Sequence, residues 1–142
     1  MFTFGRDHEK KCEERLVGNP AQVPLLMDVI DAVHDLIEGN GNLAPVATSI
    51  RTAMTQGGAG VWENAAKWLR KTACDHPEIL SLWSELASHS KAEVRYRIAC
   101  LLDEMPSHML TAIAPSLLTD RSRRVAEMAA YKIARLRGTH AA

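Results

Sequence analysis

The sequence between residues 77 and 136 contains two copies of one helical unit, and this internal repeat constrains the fold more than any other feature. Apolar residues coincide when the two copies are shifted by 31 positions, the separation of Val94 and Val125. Each copy contains an apolar stripe with helical spacing, a short polar turn and a second apolar stripe. Such a unit cannot bury its hydrophobic face alone, so it must stack on its neighbours. We expect Val94 and Ile98 to be buried between the repeats and Trp83 to be a core residue.

A fainter copy of the unit precedes the two clear ones. Val46 and Ile50, for example, match Ile79 and Trp83 at an offset of 33 positions. The glycine-rich run 56–60 is the turn between the two helices of this copy. The repeat therefore begins near residue 43, directly after the GNGN run, which is the strongest break in the chain.

The N-terminal residues form a further helical pair. The sequence predicts one helix capped by Asp7 and ending near Val17, and a second from about Ala21 to Glu38. Gly138 is predicted to end the last helix. The chain is thus predicted to be one all-α domain, a right-handed α-solenoid of about four antiparallel helical pairs. The domain covers residues 1–142, and its pairs span residues 7–38, 43–74, 77–105 and 108–137.

Composition narrows the classes of function. The formal net charge is +0, so there is no global electrostatic reason to bind nucleic acid or membranes. No apolar run approaches the ~20 residues that span a bilayer. The three cysteines, Cys12, Cys74 and Cys100, lack close spacing. We interpret them as reduced thiols of a cytoplasmic protein, with Cys74 and Cys100 buried in helices; the alternative is one disulfide with a thiol left over.

The turn and second helix of the better copy carry a motif. Residues 90–99 read SKAEVRYRIA, a polar turn followed by Val-Arg and a small residue, with leucines after them. Residues 120–130, DRSRRVAEMAA, resemble the same motif with Ala126 in place of the arginine. The pattern resembles a HEAT-type repeat, and its offset is similar to that of the short HEAT-like units of bacterial proteins. The resemblance implies that Arg95 reaches a carboxylate or carbonyl in the adjacent repeat, with Asp120 as a candidate partner.

Basic residues near the C-terminus are the main candidates for a binding surface. They are Arg121, Arg124, Lys132 and Arg135. At 100° per residue they fall within a sector of roughly 80° on the last helix, where only Glu127 opposes them. The second helix is acidic instead, with Asp28, Asp31, Asp35 and Glu38. The basic sector is either the charged outer face of a capping repeat or a surface for an anionic partner.

Trp62 is the remaining candidate for contact with a partner. It follows Val61 in the fainter copy as Arg95 follows Val94 in the clearest one. A tryptophan at this position either packs at the edge of the core or is partly exposed and anchors a partner.

The sequence contains no recognisable catalytic or metal-binding set. The six histidines show no ligand spacing, alone or with the cysteines. The QGGAG turn lacks the Lys-Ser/Thr continuation of a phosphate loop, and no serine sits in a nucleophile elbow. We read Glu13-Glu14 as a solvated helix surface. The sequence therefore predicts neither an enzyme, nor a metal site, nor a cofactor.

HEAT-like solenoids mostly bind other macromolecules along the curved face made by their second helices. The resemblance therefore implies a module that binds a protein partner, and the lack of a catalytic set predicts that it is not an enzyme. We expect this module to be cytoplasmic and without membrane contact, and its partner to carry an acidic surface. An adaptor, an inhibitor, an assembly factor or a bacterial immunity protein that blocks a toxin would fit. The alternative is a nucleic-acid-binding protein similar to HEAT-like alkylpurine DNA glycosylases, which use a basic concave face, tryptophans and an acid. A HEAT-like lyase acting on a small molecule or chromophore is a third option.

Overall fold

A computed structural model describes residue 1 and residues 3–141, with side chains as far as Gly138. All regular structure in this part of the chain is helical, without a strand, so the prediction of an all-α protein is confirmed. The α-helices are α1 Arg6–Glu14, α2 Val23–Ile37, α3 Leu43–Gln56, α4 Val61–Ala73, α5 Ser81–Ala87, α6 Ala92–Cys100, α7 Ser107–Leu118 and α8 Arg123–Ala141. Short 3₁₀ segments cover Pro20–Gln22, Pro77–Leu80 and Leu102–Glu104.

The chain forms two compact units, Met1–Leu80 and Ser81–Ala142. In the first unit α1 packs on α2, α2 packs on both α3 and α4, and α3 packs on α4. Its largest apolar core side chains have no exposed surface; they are Leu26, Ile30, Ile50, Met54, Trp68 and Leu69. They lie on the apolar stripes of α2, α3 and α4, so the packing of this unit follows from helical periodicity.

Local hydrogen bonds set the helix ends of the first unit. The Asn42 side chain accepts from the N–H of Ala44 and caps α3 (3.1 Å). Asn19 caps a 3₁₀ turn in the same way, so α2 begins at Val23 rather than near Ala21. Helix α1 begins after Gly5 and ends at Glu14. The predicted cap at position 7 and the predicted end near position 17 are therefore both wrong.

The glycine-rich turn before α4 is shaped by a close approach of two backbones. Gly60 has a φ of 82°, in the left-handed region that strains other L-residues. A Cβ atom at this position would lie 1.8 Å from the carbonyl oxygen of Leu16. The N–H of Gly58 donates to the side chain of Gln22 over 2.6 Å. The turn is thus held against the connection between α1 and α2, and only glycine fits at position 60.

The two clear copies of the repeat stack helix on equivalent helix in the second unit. Helix α5 packs on α7 and α6 packs on α8, while α5 also packs on α6 and α7 on α8. Val94, Ile98 and Trp83 have at most 1% exposed surface, so their predicted burial is confirmed. Val125, the repeat equivalent of Val94, is 0% exposed. Val94 and Val125, which occupy the same position in the two copies, are therefore both buried in the core.

The last helix continues beyond its predicted end. Helix α8 runs from Arg123 to Ala141 and passes through Gly138, so the prediction that Gly138 ends it is wrong. A glycine inside a helix lowers stability by about 1 kcal/mol relative to alanine, but it does not by itself force a turn. A Cβ atom at Gly138 would meet nothing within 4 Å. Among the residues whose side chains are described, no neighbour therefore requires a glycine or a change of direction at this position.

The cysteines are less buried than the sequence predicts. Cys12 and Cys74 are exposed, Cys100 is half-buried, and all three are free thiols. The predicted burial is therefore wrong for Cys74 and only partial for Cys100. Cys74 follows the last helical residue of α4, where it is the C-cap. Helical periodicity assigns a buried face inside a helix, and it loses this meaning at the end of one.

Candidate functional site

Arg95 and Asp120 form a buried ion pair between the two copies of the repeat. The Nε and Nη2 atoms of Arg95 donate to the two carboxylate oxygens of Asp120 over 2.8 and 3.1 Å. The two side chains are 7% and 8% exposed. This fork-to-fork geometry is the strongest way for an arginine to hold a carboxylate. The predicted contact of Arg95 with a carboxylate of the adjacent repeat is confirmed.

The surroundings satisfy the other hydrogen-bonding groups of this pair. Nη1 of Arg95 donates to the carbonyl oxygens of His89 and Ser90 over 2.9 and 3.0 Å. The N–H of Ser122 donates to Asp120 over 2.8 Å. The hydrogen bonds from Arg95 hold the pKa of Asp120 below its ordinary value. Because its groups are saturated, we assign the pair to the structure of the turn before α8 rather than to ligand binding.

Three of the four basic candidates lie on the last helix, and the fourth does not. Arg124, Lys132 and Arg135 belong to α8, which begins at Arg123. Arg121 lies in the preceding turn and donates to the carbonyl of Ser90 over 3.4 Å. The prediction that Arg121 extends the basic sector of the last helix is therefore wrong. The predicted helix was too long at its start, because the turn held by Asp120 occupies these residues.

Carboxylates of the preceding copy pair with two of these basic side chains. Arg124 contacts Glu93 over 3.0 Å, with 62% of the Arg124 side chain exposed. Lys132 contacts Asp103 over 3.2 Å. Glu127, the one acid that the sequence placed against this sector, pairs with Arg123 instead. The C-terminal sector is therefore less positive than the sequence indicates, since its counter-charges come from residues before α7.

Tyrosines interleave with the arginines on the same face. The Arg124 guanidinium stacks on the ring of Tyr96, 3.7 Å from the centroid. Arg135 lies 5.7 Å from the ring centroid of Tyr131, which is 54% exposed. Positions 124, 128, 131 and 135 share one face of a helix, so the half-buried Met128 lies among them. We call Tyr96, Arg124, Met128, Tyr131 and Arg135 the α6–α8 surface.

Trp62, the remaining candidate, is half-buried on α4 in the first unit. This placement is compatible with packing at the edge of the core as well as with partial exposure. Trp68 and Trp83 have no exposed surface. Trp62 is therefore the tryptophan with surface that a partner can contact.

The first unit also contains a buried carboxylate that sequence reasoning missed. Glu13 is 2% exposed. It accepts hydrogen bonds from the indole N–H of Trp68 over 2.6 Å and from the ammonium group of Lys67. The interpretation of Glu13-Glu14 as a solvated surface is wrong for Glu13 and correct for Glu14, which is exposed. The sequence signal was that α1 has no apolar stripe, so any face that it packs against a neighbour must be polar, but this signal does not single out Glu13.

The acidic residues of α2 are largely paired within the first unit. Arg6 contacts Asp31, Asp35 and Glu38 over 3.3, 2.7 and 3.1 Å. Lys10 contacts Asp31 over 2.8 Å. The negative charge that the sequence indicates for the second helix is therefore partly neutralised by α1.

Two further kinds of site are a metal centre and a membrane-spanning helix. The described residues contain no group of three or more side chains arranged to hold a metal ion. In the same part of the chain, every helix is too short or too polar to span a bilayer. No family model, no curated protein and no solved structure matches the chain. The surfaces of the two units are therefore the basis for assigning a function.

Proposed function

We propose that this protein is a non-enzymatic binding module that presents the α6–α8 surface to a protein partner. The observation that carries the proposal is the alternation of tyrosine, arginine and methionine on this surface, where Arg124, Tyr131 and Arg135 are exposed. These residue types are enriched at protein–protein interfaces, and tyrosine and arginine often dominate the binding energy there. Because Tyr131 is 54% exposed, it keeps a large ring surface to bury against a partner.

The arginines of this surface are held in place before a partner arrives. Arg124 stacks on Tyr96 and pairs with Glu93, and Arg135 donates to the hydroxyl oxygen of Tyr131 over 3.4 Å. Side chains that are already ordered lose less rotamer entropy on binding. A guanidinium group stacked on a ring still presents its edge to carboxylates. These features favour a partner whose matching surface carries carboxylates.

The packing of the second unit supports a HEAT-like solenoid as the scaffold. Helices α5 and α7 contact each other, and so do α6 and α8, as expected for first and second helices that form two layers. The α6–α8 surface belongs to the layer of second helices. As part of the proposal, we extend this arrangement to a right-handed solenoid of about four antiparallel pairs. A cytoplasmic adaptor, inhibitor or immunity-type protein would use such a scaffold.

Nucleic-acid binding, as in HEAT-like alkylpurine DNA glycosylases, is the alternative, and the described geometry favours it less. Trp68 and Trp83 are buried, so their rings cannot stack on a base. Glu13, the carboxylate that contacts Trp68, is 2% exposed. A base-excision site needs an aromatic ring and an acid that the substrate can reach.

The variant Tyr131→Ala with Arg135→Glu tests the proposal. Both side chains are exposed and outside the buried core, so the thermal unfolding midpoint should stay nearly constant. The partner is captured from extract of the source organism with the wild-type protein, purified, and titrated against both proteins by calorimetry. The double change is expected to weaken binding at least about tenfold, as is usual for interface hot spots.

Arg123→Glu is the matched control. Arg123 lies on the same helix, is 91% exposed, and pairs with Glu127 rather than with the α6–α8 surface. Its replacement reverses the same kind of charge and is expected to leave the affinity unchanged. A partner that binds the Tyr131 and Arg135 double variant as tightly as the wild type would refute the assignment of this surface.

A further inference from the structure

The second copy of the repeat leaves apolar surface uncovered at positions where the first copy is covered. Ala99, Leu102 and Met105 belong to the first copy and are at most 8% exposed. The second copy covers this part of the first one, because α8 packs on α6 and on the 3₁₀ segment Leu102–Glu104. The equivalent residues of the second copy, 31 positions later, are half-buried or exposed; they are Ala130, Ile133 and Leu136. In the described part of the chain, no further copy covers them.

Ile133 and Leu136 form one side of a groove between α7 and α8. Leu110, Thr111 and Leu118 of α7 line its other side, and Leu118 is 39% exposed. The groove has a volume of about 510 Å³ and belongs entirely to the second unit. We call these five residues the α7–α8 groove. Its α8 side occupies the positions at which the first copy is covered by the second, so the groove continues the stacking surface of the repeat.

Helix α7 has the composition of an interface rather than of an outer cap. Its residues read SHMLTAIAPSLL and include no aspartate, glutamate, lysine or arginine, although more than half of them are exposed. The outermost repeat of a stacked array needs a polar outer face to stay soluble. Depletion of charged residues is instead the mark of the buried centre of a protein–protein interface. The uncharged face of α7 therefore indicates that this side of the repeat is covered by protein.

We propose that the α7–α8 groove is the interface of a homodimer and packs against the same groove of a second copy of this chain. In a two-fold interface a patch faces itself, so a patch with charge of one sign would repel itself. The groove avoids this repulsion because α7 is uncharged and because the charged residues that line it, Asp103 and Arg137, have opposite signs. A head-to-tail arrangement would need a different apolar surface on the next copy, and α1, which reads RDHEKKCEE, offers none. A two-fold interface is closed, so association stops at two copies.

The dimer interface lies away from the α6–α8 surface. On α8, Ile133 of the groove and Arg135 of the α6–α8 surface are about 200° apart around the helix axis. Each dimer would therefore present two α6–α8 surfaces, and a partner with two matching sites would bind the dimer with avidity. The dimer itself does not depend on such a partner, so its failure and that of the proposed function are distinguishable.

Sedimentation equilibrium of the full chain tests the dimer. The wild type is expected to rise from the monomer mass of 15.7 kDa to twice that mass with increasing concentration. It should be mostly dimeric at about 100 μM, which corresponds to a dissociation constant of about 10 μM or tighter. The variant Thr111→Glu with Leu118→Glu places like charges of both copies in the interface and should raise the dissociation constant at least about tenfold. Both side chains are exposed, so the circular dichroism spectrum of the dilute variant should match that of the wild type.

The variant Ala112→Glu with Ser116→Glu is the matched control. It adds the same two charges to exposed positions of the same helix, on a face of α7 that does not line the groove. The dissociation constant is expected to stay unchanged.

Hydrogen exchange of the wild type locates the interface without a substitution. Peptides of α7 should exchange more slowly in the concentrated protein than in the dilute one, while peptides of α1 should exchange equally in both. A wild type that remains a monomer at about 100 μM refutes the dimer and leaves the groove to another occupant, such as a helix of a different protein or a small apolar molecule. A dimer that the variant at positions 111 and 118 leaves intact, or that shows no added protection of α7, refutes the assignment to this groove.

Discussion

Asp120 accepts hydrogen bonds from a side chain and from the backbone in the turn before α8. Its carboxylate accepts two hydrogen bonds from Arg95 and one from the N–H of Ser122. Removing two charges from water costs several kcal/mol per ion, which is offset only while both partners and their hydrogen bonds are present. The loss of either partner therefore costs about 3–5 kcal/mol, far more than the loss of an exposed ion pair.

We predict that the protein loses stability in acid because Asp120 becomes protonated and loses its charge. Arg95 lowers the pKa of Asp120 from its ordinary value of 3.8, so the unfolded chain binds this proton more tightly than the folded one. The stabilisation is fully present above the unfolded pKa and is lost as the pH falls through the lower folded pKa. Thermal unfolding of the wild type and Asp120→Asn should differ most at about pH 6 and converge toward about pH 2.

Glu127→Gln is the control for this measurement. The side chain of Glu127 is 64% exposed and pairs with Arg123, which is 91% exposed, so its replacement should change stability little at any pH. If the difference between the wild type and Asp120→Asn stays constant on acidification, the charge of Asp120 does not contribute in this way.

Arg95 could be predicted from the sequence, and the burial of Glu13 could not. The position of Arg95 follows from a motif read within about ten residues, and its partner lies at the equivalent turn of the next copy. Glu13 is buried because Trp68 and Lys67 of α4 face it. This contact joins residues that are far apart in sequence, and no local pattern records which residue of α4 faces α1. A charged residue such as Glu13 is usually exposed to solvent, but its contacts with α4 bury it here.

At the scale of helices and turns, the centres of the helices were predictable and their ends were not. Val94 and Ile98 are buried as their spacing requires. The ends depend on single hydrogen bonds and close contacts, which compete with the helical pattern. The turn that Asp120 holds makes α8 begin later than expected. At Gly138 no described atom lies within 4 Å of a Cβ position, and the helix continues through this residue.

We predict that Gly60→Ala destabilises the protein by at least about 2 kcal/mol. Alanine would be strained at a φ of 82°, and its Cβ would lie 1.8 Å from the carbonyl oxygen of Leu16, so two backbone segments must separate. Urea denaturation followed by circular dichroism measures the free energy of unfolding. Gly138→Ala is the control, because nothing lies within 4 Å, and it should leave stability equal or raise it by up to about 1 kcal/mol. Equal effects of both substitutions would contradict the close contact at Gly60.

At the scale of the whole molecule, ion pairs between helices of the described residues partly neutralise the acidic second helix and the basic last helix. The chain has 17 basic and 17 acidic residues. Arg6 neutralises acids of α2, and Glu93 and Asp103 pair with the basic residues Arg124 and Lys132. The charges of one helix can be read from the sequence, but their partners on other helices cannot. The pairs contribute little to stability, and their main effect is to weaken the field around each helix.

This pairing leads us to predict that the protein binds duplex DNA weakly and with a shallow salt dependence. Four basic residues that neutralised four phosphates would give a log–log slope of about −3.6. Because Arg124 and Lys132 already contact Glu93 and Asp103, fewer phosphates can be neutralised and the slope should be shallower. Fluorescence anisotropy with a labelled duplex over a range of salt concentrations measures this slope.

The double variant Arg124→Glu with Arg135→Glu should weaken the binding of duplex DNA further. The same variant should weaken the binding of an acidic protein partner at least about tenfold. Tight duplex binding at physiological salt, with a slope of −3.6 or steeper, would instead favour the nucleic-acid alternative.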